Sequence, residues 1–167
     1  MLVCETQRLK IRHFNSDDAE FIVKLLNEPS FIENIADKGV RNRQDAIKYL
    51  QDGSILSYQK FGFGMNMVEL KESGIPIGMC GLINRDELED IDIGYAFLPE
   101  YTGKGFAKEA VLSVLQNARD QHRLRRVVAI TAIDNQGSIR LLEKIGFNYD
   151  SMIRFYGEDS KLFVFEC

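Results

Sequence analysis

A mixed α/β fold, with a central, mostly antiparallel sheet and helices on both of its faces, follows from three features of this 167-residue chain. Apolar residues recur at helical spacing near both ends, whereas in the middle the period changes to two over three consecutive strand-like runs. The third run, 90–98, breaks at Pro99, and a turn carrying Gly103 and Gly105 leads straight into a strongly amphipathic helix. After that helix, a mostly apolar run at 126–133, rich in β-branched residues, reads as a strand buried on both faces. The chain therefore contains one strand–helix–strand unit attached to a meander. With 45% hydrophobic residues and no repeat, linker or low-complexity tract, residues 1–167 read as a single domain.

Each element has a local cause. Thr6 to Phe14 alternates polar and apolar residues, with Leu9 and Ile11 on one face, and reads as a strand. Asn15 or Ser16 can cap a helix that has Asp17 and Asp18 in its first turn and Phe21, Ile22, Leu25 and Leu26 as its stripe. Pro29 is expected to stop it. Ser30 with Glu33 resembles a capping box for a short helix from Phe31 to about Ile35. Gln44 to Leu50 is expected to be a third helix, with Ala46, Ile47 and Leu50 inward and Gly53 as its stop. Strands at 65–71 and 77–85 join at Glu72-Ser73-Gly74, and 90–98 completes an antiparallel meander. The helix after Gly105 buries Ala107, Ala110, Val111, Val114, Leu115 and Ala118. Ser138 to Ile145 forms a last helix, ended by Gly146, and short strands near 149–154 and 162–166 finish the chain.

Charge and composition narrow the function classes. A net charge of −4 and a pI near 5.3 disfavour wholesale binding to nucleic acid or to an anionic membrane. No apolar run approaches a membrane span, and Met1-Leu-Val-Cys-Glu lacks the basic and apolar regions of a signal peptide. Cys4, Cys80 and Cys167 are odd in number and widely spaced, as reduced thiols of a cytoplasmic protein would be. With only His13 and His122, no histidine metal site is expected. Arg119, His122, Arg123, Arg125 and Arg126 gather where a helix ends, and there cations complement its dipole.

The glycine turn carries the first chemical signal. A helix start offers backbone N–H groups without internal partners and a partial positive charge, and glycine lets an anion come close. A phosphorylated ligand is the functional expectation; tight packing of strand on helix is the structural alternative. Neither familiar nucleotide motif fits. A P-loop needs Ser or Thr after Gly-Lys, whereas Gly105 and Phe106 follow Lys104. A dinucleotide fingerprint needs glycine where Glu109 stands. A nucleotide kinase is disfavoured accordingly.

Taken together, several motifs resemble the GNAT superfamily of acyl-CoA-dependent N-acetyltransferases. Its central pattern, Arg/Gln-x-x-Gly-x-Gly/Ala, is matched by Gly105 and Ala107, while Thr102 departs at the first position. Thr6-x-Arg8-Leu9-x-Ile11-Arg12, Ile93-Gly94-Tyr95, and Pro99-Glu100-Tyr101-x-Gly103-Lys104-Gly105 resemble the branch that acetylates ribosomal-protein N-termini. So does Asn135-x-x-Ser138-x-Arg140-x-Leu142-Glu143-Lys144-x-Gly146-Phe147. The resemblance implies a sheet splayed between the 92–98 and 126–133 strands. It also implies acetyl-CoA as cosubstrate, its pyrophosphate on the amides of Gly103, Lys104, Gly105, Phe106, Ala107 and Lys108. The pantetheine arm would pair with backbone around Tyr95, Ala96 and Phe97, and Asn135 would hydrogen-bond it; read plainly, Asn135 is only a helix cap.

Reaction would be direct attack of a neutral primary amine on the thioester. Asp92, before Ile-Gly-Tyr, is the first choice of base, ahead of Glu87, Glu89 and Asp90. Many members of the family have a tyrosine acid seven residues after Asn135, but Leu142 stands there, so Ser138 inherits the role and also meets the cofactor. Phe97 N–H would stabilise the oxyanion. An α-amine, with pKa about 7.7–8.0, is far more often neutral than a lysine near 10.4, which makes a protein N-terminus the favoured acceptor. The alternatives are a small amine (polyamine, amino acid or antibiotic) and a catalytically silent acyl-CoA-binding module. Cys80 reads as core, and Phe61, Phe63, Met65 and Met67 as core or acceptor pocket. Substrate choice is expected within 39–64. The resemblance is compatible with a monomer or a homodimer.

Overall fold

The computed structural model describes residues 1–167. Eight strands form one sheet: β1 (Leu2–Glu5), β2 (Leu9–His13), β3 (Met65–Leu70), β4 (Pro76–Ile83), β5 (Asp92–Phe97), β6 (Arg126–Ala132), β7 (Asn148–Phe155) and β8 (Glu158–Glu166). Their order is β1-β2-β3-β4-β5-β6-β8-β7. Every neighbouring pair is antiparallel except β5 and β6. The helices are α1 (Ala19–Leu26), α2 (Pro29–Asn34), α3 (Arg43–Leu50), α4 (Leu56–Phe61), α5 (Phe106–His122) and α6 (Gln136–Ile145). Helix α5 is the crossover between the parallel strands.

The sheet separates two apolar clusters. On one face, Ile77, Cys80, Ile93 and Val127 pack under Val111, Val114 and Leu115 of α5 and Leu142 of α6. On the other, Met67, Met79 and Leu98 meet Ile22, Leu25 and Leu26 of α1 and Ala46 and Leu50 of α3. Helices thus cover both faces, and the alternation of β-strand side chains supplies both cores at once. Cys80 is fully buried, and burial pushes its thiol far above the ordinary range, as an inert core residue requires.

Several local expectations need correction. A strand precedes the one expected, because Leu2–Glu5 folds back on Leu9–His13 as a hairpin. Pro29 does not stop a helix: α1 has already ended at Leu26, and Pro29 opens α2, where a missing N–H costs nothing. Ser30 therefore lies inside α2 and caps nothing. Gly53 does not stop α3 either. A widened turn over Gln51–Ile55 carries the helix into α4, which ends at Gly62 with φ +79°. Tertiary anchoring explains the continuation: the Tyr58 ring stacks on His13 at 3.6 Å, and Phe14 N–H donates to its hydroxyl at 3.0 Å. Asn15 does cap the turn before α1, with Asp18 buried and held by Arg12 at 2.8 and 2.9 Å. Met67 is core, and Phe63 packs against His122 at 5.3 Å.

The feature that matters for chemistry is the seam between β5 and β6. Their pairing is confined to Asp92 opposite Val128. Past that point the strands diverge. Leu98 N–H donates to Ile77 of β4, and β-strand alternation then turns the N–H and C=O groups of Tyr95 and Phe97 toward the gap. The sheet thus holds an internal, unpaired edge.

Candidate active site

At one end of the gap lies the loop that starts α5. Gly103 and Gly105 adopt φ +72° and +83°, the left-handed region where a side chain costs about 1–2 kcal/mol. No space-filling neighbour lies within 4 Å of where a Cβ on Gly103 would stand. Thr102, at the position where the family pattern has Arg or Gln, closes the preceding turn by donating from Oγ1 to Pro99 O at 2.8 Å. No side chain caps α5. None of the six consecutive amides of Gly103, Lys104, Gly105, Phe106, Ala107 and Lys108 donates within the chain; the first to do so is Glu109, to Gly105 O. Residues 102–105 are solvent-exposed. Two phosphate groups fit this row of donors, and the loop's glycines leave it unobstructed.

A clamp from the first hairpin holds that loop in place. Glu109 accepts from the Thr6 hydroxyl at 2.5 Å, from Arg8 N–H at 3.0 Å and from the Arg8 guanidinium at 2.7 Å. Arg8 also donates to Lys104 O at 3.1 Å and lies 4.2 Å over the Phe106 ring. Burial pushes the Glu109 carboxyl up, yet these donors outweigh it and hold it below its ordinary value. The Thr6-x-Arg8 signal was present in the sequence, but the partner that explains it is 101 residues away.

Along the gap, Tyr95 and Phe97 present backbone groups, whereas Ala96 turns its own to Met79 of β4 and flanks the seam without lining it. On the β6 side, the Thr131 hydroxyl is buried without a partner. Asn135 caps α6: its side-chain oxygen accepts from Ser138 N–H at 3.2 Å, and its amide NH2 donates to nothing in the chain. The cap role is therefore real, and a donor remains for a ligand. Ser138, half-buried in the first turn of α6, shares a hydrogen bond with the Tyr95 hydroxyl across the seam. Leu142 points into the core with 0% exposure, so that position offers the gap no proton donor.

At the closed end stands Asp92, only 4% exposed. Arg85, in the β4–β5 connection, donates to its carboxylate from Nε at 3.1 Å. Desolvation dominates over this cation and pushes the Asp92 carboxyl up to about 6. The other acidic candidates lack this setting. Glu87 and Glu89 are exposed, and Asp90 is ion-paired with Arg126 at 3.0 Å. Arg85 itself lies 5.3 Å over Phe155 and 6.0 Å over Tyr156 of the β7–β8 turn. Neither Arg85 nor the side chain of Tyr95 was singled out from the sequence. Arg85 shows no local motif, only an arginine seven residues before the aspartate.

Comparisons with known proteins identify the family. The family profile described as acetyltransferase (GNAT) domain matches residues 8–148. An uncharacterized N-acetyltransferase of Bacillus subtilis, YoaA, is 29% identical over 92% of this chain and 87% of its own. The uncharacterized N-acetyltransferase p20 of Bacillus licheniformis is 30% identical over 90% of this chain and 85% of its own. Among solved structures, RimL, a ribosomal L7/L12 alpha-N-protein acetyltransferase in complex with coenzyme A, superposes with a TM-score of 0.83. It is 16% identical and covers 99% of this chain and 98% of its own. No helix here is long and apolar enough to cross a membrane. A row of unpaired amides at a helix start, an unpaired strand edge beside it and a buried carboxylate at the seam's end stand together in a chain whose family the profile match shows: it belongs to the GNAT family and is an acetyl-CoA-dependent N-acetyltransferase.

Proposed function

We propose that the enzyme acetylates the α-amine of a protein or peptide N-terminus by direct attack within a ternary complex, in the cytoplasm. The observation that carries this reading is the carboxylate of Asp92, 4% exposed at the end of the seam, where burial raises its pKa to about 6. A base of that strength lies within about two pKa units of an α-ammonium but more than four below a lysine or polyamine ammonium. The difference, roughly 3–4 kcal/mol at 1.36 kcal/mol per unit, favours the α-amine. The motif resemblance around Thr6, Tyr95 and Ser138 supports the same acceptor class.

The tasks divide among named residues, with Phe97 serving both arm and oxyanion. The amides of Gly103 to Lys108 hold the pyrophosphate, and Lys104 and Lys108 add positive charge beside it. Tyr95 and Phe97 backbone groups pair with the pantetheine amides in the seam, joined by the Asn135 side-chain NH2. Asp92 takes a proton from the incoming ammonium, directly or through one water, leaving the nitrogen lone pair free to attack. Phe97 N–H faces the carbonyl oxygen as negative charge develops there. Ser138 Oγ donates to the sulfur as the carbon–sulfur bond breaks; the second proton, which the nitrogen sheds on becoming an amide, passes through water to replace the one Ser138 gave up.

The test is acetyl-CoA consumption with peptides beginning in Ala, Ser or Met, the same peptides with blocked N-termini and one internal lysine, and spermidine. Free α-amines are expected to react at least about a hundredfold faster, as the 3–4 kcal/mol difference requires. Equal acetylation of spermidine or lysine would overturn the acceptor assignment. Tight coenzyme binding with no amine acetylated would return the chain to a silent acyl-CoA-binding module.

A further inference from the structure

Resting on the reading of Ser138 as the group that meets the leaving sulfur, we propose that Tyr95 is a positioning residue. Its hydroxyl donates to Ser138 Oγ and thereby turns the serine's own proton into the seam between β5 and β6.

The contact is a tertiary one. Tyr95 shares its face of β5 with Ile93 and Phe97, against the α5 and α6 core, and reaches Ser138, 43 residues away, on the first turn of α6. Nothing else in the chain bonds either hydroxyl. A hydroxyl has one proton and two lone pairs. Phenol is the far stronger acid of the two, so Tyr95 is the natural donor and Ser138 the acceptor. With one lone pair filled, the serine proton must point elsewhere, and the open side is the seam.

The carbonyl four residues before Ser138 is that of Asp134, outside α6, so the serine lacks the intrahelical acceptor a mid-helix hydroxyl finds. Leu142, buried in the core, contributes no hydroxyl to the seam. Burial supports the arrangement by pushing the Tyr95 hydroxyl up to about 12, which keeps it a donor throughout the working range.

The experiment needs no acceptor. The thiol of bound coenzyme A is titrated by the ultraviolet absorbance of its thiolate. The matching complex with desulfo-coenzyme A is subtracted to remove the three protein cysteines. A proton aimed at sulfur stabilises the thiolate, so the parent should hold the thiol's acid constant about tenfold above its value in Ser138→Ala, as one charge-assisted hydrogen bond gives. Tyr95→Phe is expected to reproduce the Ser138→Ala shift, and the double variant to show no more than either single one.

Four results would overturn the proposal, and they are distinguishable. A shift in Ser138→Ala but none in Tyr95→Phe removes Tyr95 and leaves the serine reading intact. No shift in either variant defeats the serine reading itself. A larger shift in the double variant means that Tyr95 acts on sulfur directly. Loss of desulfo-coenzyme A binding in Tyr95→Phe makes the tyrosine a structural support.

Discussion

At the scale of single residues, Asp92 has the most testable chemistry. Its carboxylate is shielded from water and is met by one cation, and desolvation wins. Rate should therefore climb as pH rises through about 6, and again as the acceptor amine loses its proton. Asp92→Asn should erase the lower limb and cut kcat about 10²–10⁴-fold, the usual range for a lost general base; a full-length pH–rate profile checks both. Stability shares the same group. Because folding raises this pKa, the native state holds the proton more tightly than the unfolded chain. The stabilisation is complete below the unfolded value near 3.9 and is lost as pH climbs through about 6. A second residue-scale expectation concerns Gly105, whose φ of +83° and whose approach to Arg8 both resist a side chain. Gly105→Ala should cost about 1–2 kcal/mol in thermal unfolding and weaken acetyl-CoA binding measured by calorimetry.

At the scale of elements, the first hairpin and α5 act as one unit. Arg8 joins β2's approach to the carbonyl of Lys104, the ring of Phe106 and the carboxylate of Glu109. Arg8→Ala leaves Glu109 in the first turn with only Thr6 and a backbone amide, beside the row of amides proposed to receive a diphosphate. Because Arg8 is 42% exposed, the stability loss should be only about 1 kcal/mol. The KM for acetyl-CoA should rise more than kcat falls, with a smaller rise at high salt, and Glu109→Gln should restore most of the affinity in the Arg8→Ala background. Kinetics at two ionic strengths would check this. Helix α6 makes a contrasting case. Leu142 sits where many relatives by motif have tyrosine, but here it is core. Leu142→Tyr is therefore expected to overpack and destabilise by about 1–3 kcal/mol, without adding turnover.

At the scale of the whole molecule, the splay is what couples fold to ligand. A sheet that stays joined only through Asp92 and Val128 leaves a strand's worth of hydrogen-bonding capacity unused until an extended ligand enters. Coenzyme binding should then slow amide hydrogen exchange at Tyr95, Phe97 and the 103–108 loop together, while the β7–β8 hairpin stays unchanged. Saturation at about 100 times Kd adds about 2.7 kcal/mol of stability. For a chain of this size that corresponds to roughly 5–10 °C in Tm. Exchange mass spectrometry and a thermal scan read these two effects independently.

The amino-acid sequence alone determined the period-two meander, the glycine turn opening α5 and the cap at Asn135, and it missed β1 and α4. The features it determined depend on neighbours within a few residues, where backbone geometry and side-chain period act directly; Asp92 and Ser138 were named by motif resemblance. Asn135 illustrates the point: its cap on Ser138 N–H spans three residues. Tertiary structure decided the rest. Gly53 did not end its helix, because Tyr58 is anchored on His13 and Phe14 from a strand 44 or more residues away. Arg85 beside Asp92, Arg8 beside Glu109 and Tyr95 beside Ser138 have no sequence period that announces them. Each pair exists because sheet topology brings distant residues to one seam, where loss of water makes a carboxylate's affinity for protons, or a hydroxyl's direction, depend on whatever stands opposite.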